Sequence, residues 1–323
     1  MNLPKLSVVI PTYNEELAIE ENVQKLTEYL NNLQRNLSSG LREWEVVLVN
    51  DGSTDSTLSI MQKLAASESR VKVVSYLPNR GRGYALKNGF KAATGDYIVA
   101  TESDLNWGAE IIGKFVEELN KGGVDVVIAS PHMKGGGMEN VPFLRWLLSR
   151  AGNIIFSLAF PGKFTMVTGM TRAYRREVLD SLDLEADDKE LHVEILQKAI
   201  DLGFKIKEIP AVLRWKKSEP GLKVRKSHFK LKSISKHLLL VFSVRPFLLF
   251  ALFGFPMIGA GLVFGLYLLK LSLAGVAVSG RPMLFAAVLF LIVGVQTLIF
   301  GFIANQNRAL RRQIVRAQKF LKK

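Results

Sequence analysis

Cysteine is absent from all 323 residues. Without thiols there is no disulfide framework, no thiolate metal site and no cysteine nucleophile. A G-x-G-x-x-G fingerprint is missing after the first strand-like run, residues 6–10, which counts against a dinucleotide-dependent dehydrogenase. The N-terminus has no charged stretch followed by an apolar one, so no signal peptide is expected. Acidic residues are few beside basic ones, 29 against 43, giving a net charge of +14. That excess points to a polyanionic partner, whether nucleic acid, anionic lipid or a phosphorylated substrate. Hydrophobic residues reach 48%, high beside 22% charged, and the surplus collects after residue 245. The length leaves room for one large domain and a further part.

Residues 6–10 are apolar β-formers closed by Pro11. Ile19, Val23, Leu26, Leu30 and Leu33 recur at spacings of three and four, which predicts a helix opened by residues 12–16 and running to about residue 37. Further strands are expected at 44–49, 71–76, 96–100 and 124–130. Ser53 or Thr54 is placed to cap a helix beginning near Asp55, and another helix runs through Ala85, Leu86 and Phe90. Strand and helix alternate with short connections. This predicts an α/β domain with a mostly parallel sheet and helices on both faces. Ligands on such sheets bind beyond the carboxyl ends of the strands. Here those ends are 12–15, 50–55, 79–83 and 102–106, all polar or glycine-rich, as a nucleotide pocket requires.

The most informative stretch is Thr101-Glu102-Ser103-Asp104-Leu105-Asn106. Glu102 and Asp104 are two apart, a spacing that turns both side chains to one side of extended backbone. Two carboxylates and the Asn106 amide oxygen are hard ligands suited to Mg²⁺ or Mn²⁺. An ion held there could grip a diphosphate and neutralise charge on a departing phosphate. Taken alone, the pattern fits a solvated strand-end loop better than a metal site.

VVIPTYNEE, VNDGSTDST, NRGRGYALKNG and the acidic stretch follow one another within about the first 215 residues. In this order and spacing they resemble the inverting family 2 glycosyltransferases of GT-A fold. The resemblance implies a nucleotide-sugar pocket, for a GDP- or UDP-hexose, lined by Pro11, Tyr13, Glu15, Asp51, Lys87, Glu102 and Asp104. It also implies metal and diphosphate binding by Glu102, Asp104 and Asn106, with Asp104 central to catalysis. Further on stand the loop Pro131-His132-Met133-Lys134-Gly135-Gly136-Gly137, an amphipathic helix predicted over 143–159, and Thr168-Gly169-Met170-Thr171-Arg172-Ala173-Tyr174-Arg175-Arg176-Glu177. These resemble dolichyl- and polyprenyl-phosphate sugar synthases, in which a helix Arg and Ser bind the acceptor phosphate and take part in catalysis. Arg145 and Ser149, one helical turn apart, inherit that expectation, with Arg150 and His132 beside them. The chain departs from the pattern in four places: Glu102 stands for aspartate, Asn106 for glutamine, Asn50 for the first aspartate of D-D-G-S, and Pro131 for an arginine. His132 or a later basic residue must then compensate at the acceptor.

Many relatives that glycosylate a hydroxyl carry an acid pair about ten residues before a G-Y or G-F. Counting back from Gly203-Phe204 gives Leu191-His192, with Asp187 and Asp188 too early. His192 reads as a structural residue of an amphipathic helix. An attacking alcohol must lose a proton to a base. A phosphate monoester, with a second ionisation near pH ~6, is already anionic. The expected nucleophile is therefore a lipid phosphate.

From Arg214 the composition turns basic, with Leu231, Ile234, Leu238 and Val241 spaced as in a helix. This predicts amphipathic interface helices on anionic lipids rather than a nucleic-acid contact. Apolar runs at 246–269 and 283–304 are each long enough to cross a hydrocarbon core about 30 Å thick. The basic flanks place both ends, and the catalytic domain, on the cytoplasmic side of a multi-pass cell-membrane protein. The expected divisions are a GT-A domain at 1–213, a juxtamembrane segment at 214–245, a hairpin of two transmembrane helices at 246–304 and a basic tail at 305–323. Gly254, Gly259, Gly261 and Gly265 hint at helix packing and a possible homo-oligomer. Two rival functions stay open, a membrane polysaccharide synthase and a non-catalytic scaffold that keeps the fold.

Overall fold

The structure, a computed structural model, describes residues 3–36, 40–142, 150, 164–215 and 246–321. The predicted helix at 143–159, apart from Arg150, and the basic segment from residue 216 to 245 lie outside the described residues. The chain divides into two compact units, Met1–Lys226 and Ser227–Lys323.

In the first unit strand and helix alternate: β1 (Lys5–Thr12), α1 (Ile19–Arg35), β2 (Glu43–Asp51), α2 (Thr57–Ser67), β3 (Val71–Tyr76), α3 (Arg82–Ala92), β4 (Tyr97–Ala100), α4 (Glu110–Asn120) and β5 (Val126–Ser130). Then follow β6 (Gly137–Glu139), β7 (Arg172–Arg175), α5 (Arg176–Asp180), α6 (Leu191–Asp201), β8 (Ile206–Pro210) and β9 (Val212–Arg214). Seven strands form one sheet in the order β3-β2-β1-β4-β7-β5-β8. β1 pairs in parallel with β2 and β4, β2 with β3, and β5 with β8. Residues Trp44 to Asp51 of β2 are all buried, as strands covered on both faces require. The apolar stripe of α1, Ile19, Val23, Leu26 and Leu30, packs away from solvent.

Two local expectations are corrected. The first helix starts at Ile19, not near residue 12. Asn14 takes a positive φ of 53°, and its backbone N–H and side chain bond Ser53 and Thr54, so residues 13–18 turn instead of coiling. Those bonds also remove Ser53 and Thr54 as caps. Ser56 stands at the cap position without a side-chain cap bond, and the carboxylate of Asp55 before it accepts the Thr57 N–H at 3.0 Å, satisfying one donor of the first turn.

β7 is a strand that hydrophobic patterning hides, because Arg-Ala-Tyr-Arg carries two charges. It runs antiparallel between β4 and β5. Arg172 is fully buried there, and its guanidinium donates to the carbonyls of His192 and Val167. Arg175 donates to Val124 and Leu119, while Arg176 donates to Gly95 and Ala93. Leu119 and Ala93 end α4 and α3, where orphan carbonyls and the negative end of the helix dipole favour a cation. The arginines thus stitch the strand to its neighbours.

The second unit consists of α7 (Pro246–Leu273) and α8 (Pro282–Leu321). Both are long and apolar enough to cross a membrane, over Phe247–Leu273 and Pro282–Leu310, and about a tenth of each apolar window is buried. A soluble core helix would be covered. Glycines set their contact. A Cβ on Gly254 would lie 3.1 Å from the Gly294 carbonyl oxygen, and one on Gly261 would lie 2.9 Å from that of Ala287. Gly259 and Gly265 meet nothing within 4 Å. Of the four glycines singled out in sequence, two therefore build the hairpin itself.

Candidate active site

The carboxyl ends of β1, β2 and β4 open onto a cavity of about 320 Å³. From β1 and the turn after it come Pro11, Thr12, Tyr13 and Glu15. From the end of β2 comes Asp51, only 4% exposed. One of its oxygens accepts from Tyr76 Oη at 2.9 Å and the Arg80 N–H at 2.8 Å. The other accepts from Asn79 Nδ2 at 3.0 Å and the Gly81 N–H at 3.1 Å. Four donors fill the carboxylate's capacity. Asp51 therefore lines the cavity as the anchor of the 79–81 loop. Gly52 makes room for this, because a Cβ there would come within 2.5 Å of the Asn79 nitrogen.

The acidic stretch does not continue as extended backbone. Residues 102–105 turn, with Leu105 at a positive φ of 48° and its N–H bonded to the Glu102 carbonyl at 3.4 Å. Glu102, Ser103 and Asp104 all reach the cavity wall, so the two carboxylates arrive by a turn, not by alternation. Asn22 of α1, buried, donates to the Ser103 carbonyl at 2.9 Å and fixes the turn from behind. Asn106 is corrected. It lines no part of the cavity, because its backbone N–H and side-chain amide both donate to Asp104. Asn106 holds Asp104 in place, while its own Oδ1 is buried without a partner among the described residues.

Among the described residues five carboxylates line the cavity, Glu15, Asp51, Glu102, Asp104 and Asp188, against two cations, Arg82 and Lys189. Burial raises the Glu102 carboxyl above its ordinary range and the Asp104 charge adds to this, while Arg82 and a bond from the Trp107 side chain pull the other way. The nearest Arg82 nitrogen stands 3.6 Å from Glu102, too far for a hydrogen bond. A pocket of this sign repels a diphosphate unless a cation joins it. The donor set suits a hard divalent ion. Among the described residues no three His, Cys, Asp or Glu side chains stand close enough to hold one metal ion together. The chain thus offers two carboxylates, leaving further positions for phosphate oxygens and water, the usual arrangement for ions bound with a substrate phosphate.

The floor comes from a segment that sequence spacing passed over. Residues 181–190 carry only a single turn of structure before α6 and fold back over the start of α3. The Asp187 carbonyl accepts the Tyr84 N–H at 3.0 Å. Glu194 accepts the N–H groups of Glu185 and Ala186, each at 2.9 Å. Lys87 pairs with Asp187 at 2.6 Å and donates to the Glu185 carbonyl at 3.1 Å. This engagement keeps Lys87 out of the cavity wall, contrary to the expectation that it meets the donor. The glycines of the third motif explain the packing. A Cβ on Gly81 would lie 2.7 Å from the Asp187 oxygen, and one on Gly83 would lie 2.6 Å from the Asp188 oxygen. Their absent side chains let Asp188 and Lys189 reach the cavity, so Asp188 is not too distant to matter. The Gly-x-Gly spacing was the available signal, since glycine admits close backbone approach. Gly83→Ala is expected to lower stability by about 1–3 kcal/mol through overpacking and to weaken nucleotide binding several-fold. Thermal denaturation and nucleotide titration check both.

His192 is buried, and neither ring nitrogen has a partner among the described residues. Burial, then the charges of Arg172 and Arg82, hold it neutral and well below the usual imidazole range. His132, expected at the acceptor, donates its backbone N–H to Ser130 Oγ at 3.2 Å. Burial and the charge of Arg150 lower its imidazole, so His132 and Arg150 stand near each other. Neither lines the cavity. Arg145 and Ser149 lie outside the described residues.

A largely parallel sheet with an acid pair at its carboxyl edge defines a nucleotide-sugar-binding class of α/β protein. The sequence profile of glycosyl transferase family 2 matches residues 7–183, and the chain belongs to that family. A dolichol-phosphate mannosyltransferase of Pyrococcus furiosus is 34% identical over 72% of this chain, and the match spans 62% of that protein's length. An undecaprenyl-phosphate 4-deoxy-4-formamido-L-arabinose transferase of an Enterobacter species is 30% identical over 93% of this chain and 87% of its own. Among solved structures, glucosyl-3-phosphoglycerate synthase of Mycobacterium tuberculosis, with Mn²⁺, UDP and phosphoglyceric acid, superposes with a TM-score of 0.53 at 22% identity. That match covers 75% of this chain and 77% of that one. At this identity the likeness establishes the GT-A fold.

Proposed function

We propose that this chain transfers a hexose from GDP- or UDP-hexose to a polyprenyl or dolichyl phosphate at the cytoplasmic face of a membrane, with inversion and with Mg²⁺ or Mn²⁺. The observation that carries the reading is the Glu102–Asp104 pair on the wall of a net-acidic cavity, in a family 2 chain with relatives named for lipid-phosphate acceptors. Glu102 and Asp104 would hold the ion, which supplies charge stabilisation to the departing nucleoside diphosphate. Asn106 and Asn22 keep the two carboxylates in place. Asp51 holds the 79–81 loop against the donor, and Pro11, Tyr13 and Glu15 form the opposite wall. The acceptor phosphate is met by Arg145, Ser149, Arg150 and His132. It arrives as an anion and asks for position, not for a proton acceptor. His192 is unsuited to act as a base, because it is sealed from the cavity in its neutral form. The spans near 247–273 and 282–310 tether the chain to the membrane that carries such a headgroup, and basic flanks set the side of the catalytic domain.

The test uses the full chain in detergent or nanodiscs, with labelled GDP- and UDP-hexoses, Mg²⁺ or Mn²⁺, and polyprenyl phosphate. Organic-extractable product that disappears with chelator is expected. Insoluble polymer would favour a polysaccharide synthase, and no turnover with any donor a scaffold. Asp188→Asn refines the result, because Asp188 is the one carboxylate that the folded-back segment brings to the cavity. The variant is expected to transfer within about tenfold of wild type with an unchanged pH profile. A loss in the range of about 10²–10⁴, the contribution of a general base, would show a hydroxyl acceptor instead.

A further inference from the structure

The two cavity cations differ in their surroundings. Lys189 enters with the folded-back segment, while Arg82 occupies the first turn of α3 and faces the acid pair. Its guanidinium is 40% exposed, and its ion pair with Glu102, 3.6 Å, is a contact of charge without a hydrogen bond. With no hydrogen bond between them, only charge attraction holds the pair, and the exposed guanidinium is free to exchange it for a stronger partner. Glu102 needs a positive neighbour, since Asp104 shares its wall and both are held by the same turn. Arg82 also sits where α3 begins, so loop N–H groups and the positive end of the helix dipole lie behind it. A cation poised there repels a second cation and attracts a phosphate.

We propose that Arg82 is a mobile counter-charge: it neutralises the Glu102–Asp104 pair while the site is without its divalent ion, and it turns to the donor diphosphate once that ion is bound. The inference rests on the metal-assisted reading above and adds a positioning role that the sequence motifs leave unassigned. Arg82 then serves the two states in opposite ways. It competes with the metal when no nucleotide is present, and it reinforces nucleotide binding when metal is present. The electrostatics give the competition its size. Charges of +1 and +2 about 5 Å apart, in a medium between water and a protein surface, repel by enough to change affinity about tenfold or more. The exchange also prevents the acid pair from standing uncompensated at any stage, which buried like charges tolerate poorly.

The discriminating experiment is a pair of titrations on the full chain in detergent. Mn²⁺ alone is followed by the loss of its free electron-paramagnetic-resonance signal, and UDP and GDP are each titrated calorimetrically with Mn²⁺ saturating. Arg82→Gln is expected to bind Mn²⁺ about tenfold more tightly than wild type and the better nucleotide about tenfold more weakly. Arg82→Lys, which keeps the charge, should stay within about threefold of wild type for Mn²⁺. A merely structural arginine would weaken both or neither. Unchanged or weaker Mn²⁺ binding by Arg82→Gln, with wild type binding Mn²⁺ and Asp104→Ala losing it, overturns the role of Arg82 alone. Absence of Mn²⁺ binding by wild type, with and without UDP or GDP, overturns the metal-assisted reading and this proposal with it.

Discussion

Asp104→Ala is expected to reduce transfer by about a thousandfold or more, the largest effect of any single substitution in the cavity. The wall supplies only two carboxylates for a divalent ion among the described residues, so removing one leaves a single protein ligand. Charge that develops on the leaving diphosphate loses its fixed counterpart, and a thousandfold is about 4 kcal/mol of transition-state stabilisation. Comparable losses follow removal of a single preorganised electrostatic partner in other enzymes. The geometry adds a control. Asp104 also accepts from the backbone and side chain of Asn106, so alanine would free the turn as well as remove charge. Asp104→Asn removes the charge and one acceptor but keeps an oxygen for the Asn106 N–H. Both variants should fold and reach the membrane with the same melting temperature to within a few degrees, and both should lose transfer. Near-normal rates in either would show that Asp104 does not hold the ion.

The contrast between Asp104 and its neighbours marks how far sequence reasoning reaches. The alternation of apolar strands with amphipathic helices was legible, because burial on both faces of a parallel sheet leaves continuous apolar runs such as Val46 to Val49. The carboxyl-end motifs were legible for a topological reason, since parallel strands deliver their ends to one edge. What stayed hidden depended on tertiary partners. β7 was not among the expected strands, because its Arg175, and Arg176 just after it, are satisfied by the carbonyls of Leu119, Gly95 and Ala93, which lie far off in sequence. Asp188 reads as too early, because a count of about ten residues back from Gly203-Phe204 ends in α6, while residues 181–190, with almost no regular structure, fold back to the cavity. Lys87 and Asn106 show the converse. Their positions fit a ligand pattern, yet a nearby carboxylate took each of them first. A motif places a residue near a site; whether it meets the ligand depends on what else competes for its hydrogen bonds.

Asp51→Ala is the second substitution expected to have a large effect, and it separates holding a loop from binding a ligand. Sequence resemblance assigns Asp51 to the donor. In the fold its two oxygens are already filled by Tyr76, Asn79, Arg80 and Gly81. Burial raises the Tyr76 hydroxyl above its ordinary range, and the bond to Asp51 raises it further, so that group stays a donor at any working pH. Alanine leaves four donors seeking an acceptor in a site only 4% exposed. Each unsatisfied buried group costs about 1–3 kcal/mol, less where water enters, so a loss of about 3–5 kcal/mol in stability is expected. The 79–81 loop carries Asn79 and Gly81 on the cavity wall and leads directly into Arg82. Its release should therefore weaken nucleotide binding about a hundredfold at a temperature where the variant is still folded. Asp51→Asn can accept at one oxygen and should lie between alanine and wild type in both measurements. Denaturant unfolding and nucleotide titration on the same preparations decide the matter. Were the carboxylate mainly a ligand contact, Asp51→Ala would lose nucleotide affinity while keeping its unfolding midpoint. A loop anchor loses both together, because the same four hydrogen bonds that hold the fold at the end of β2 also shape the wall the nucleotide meets.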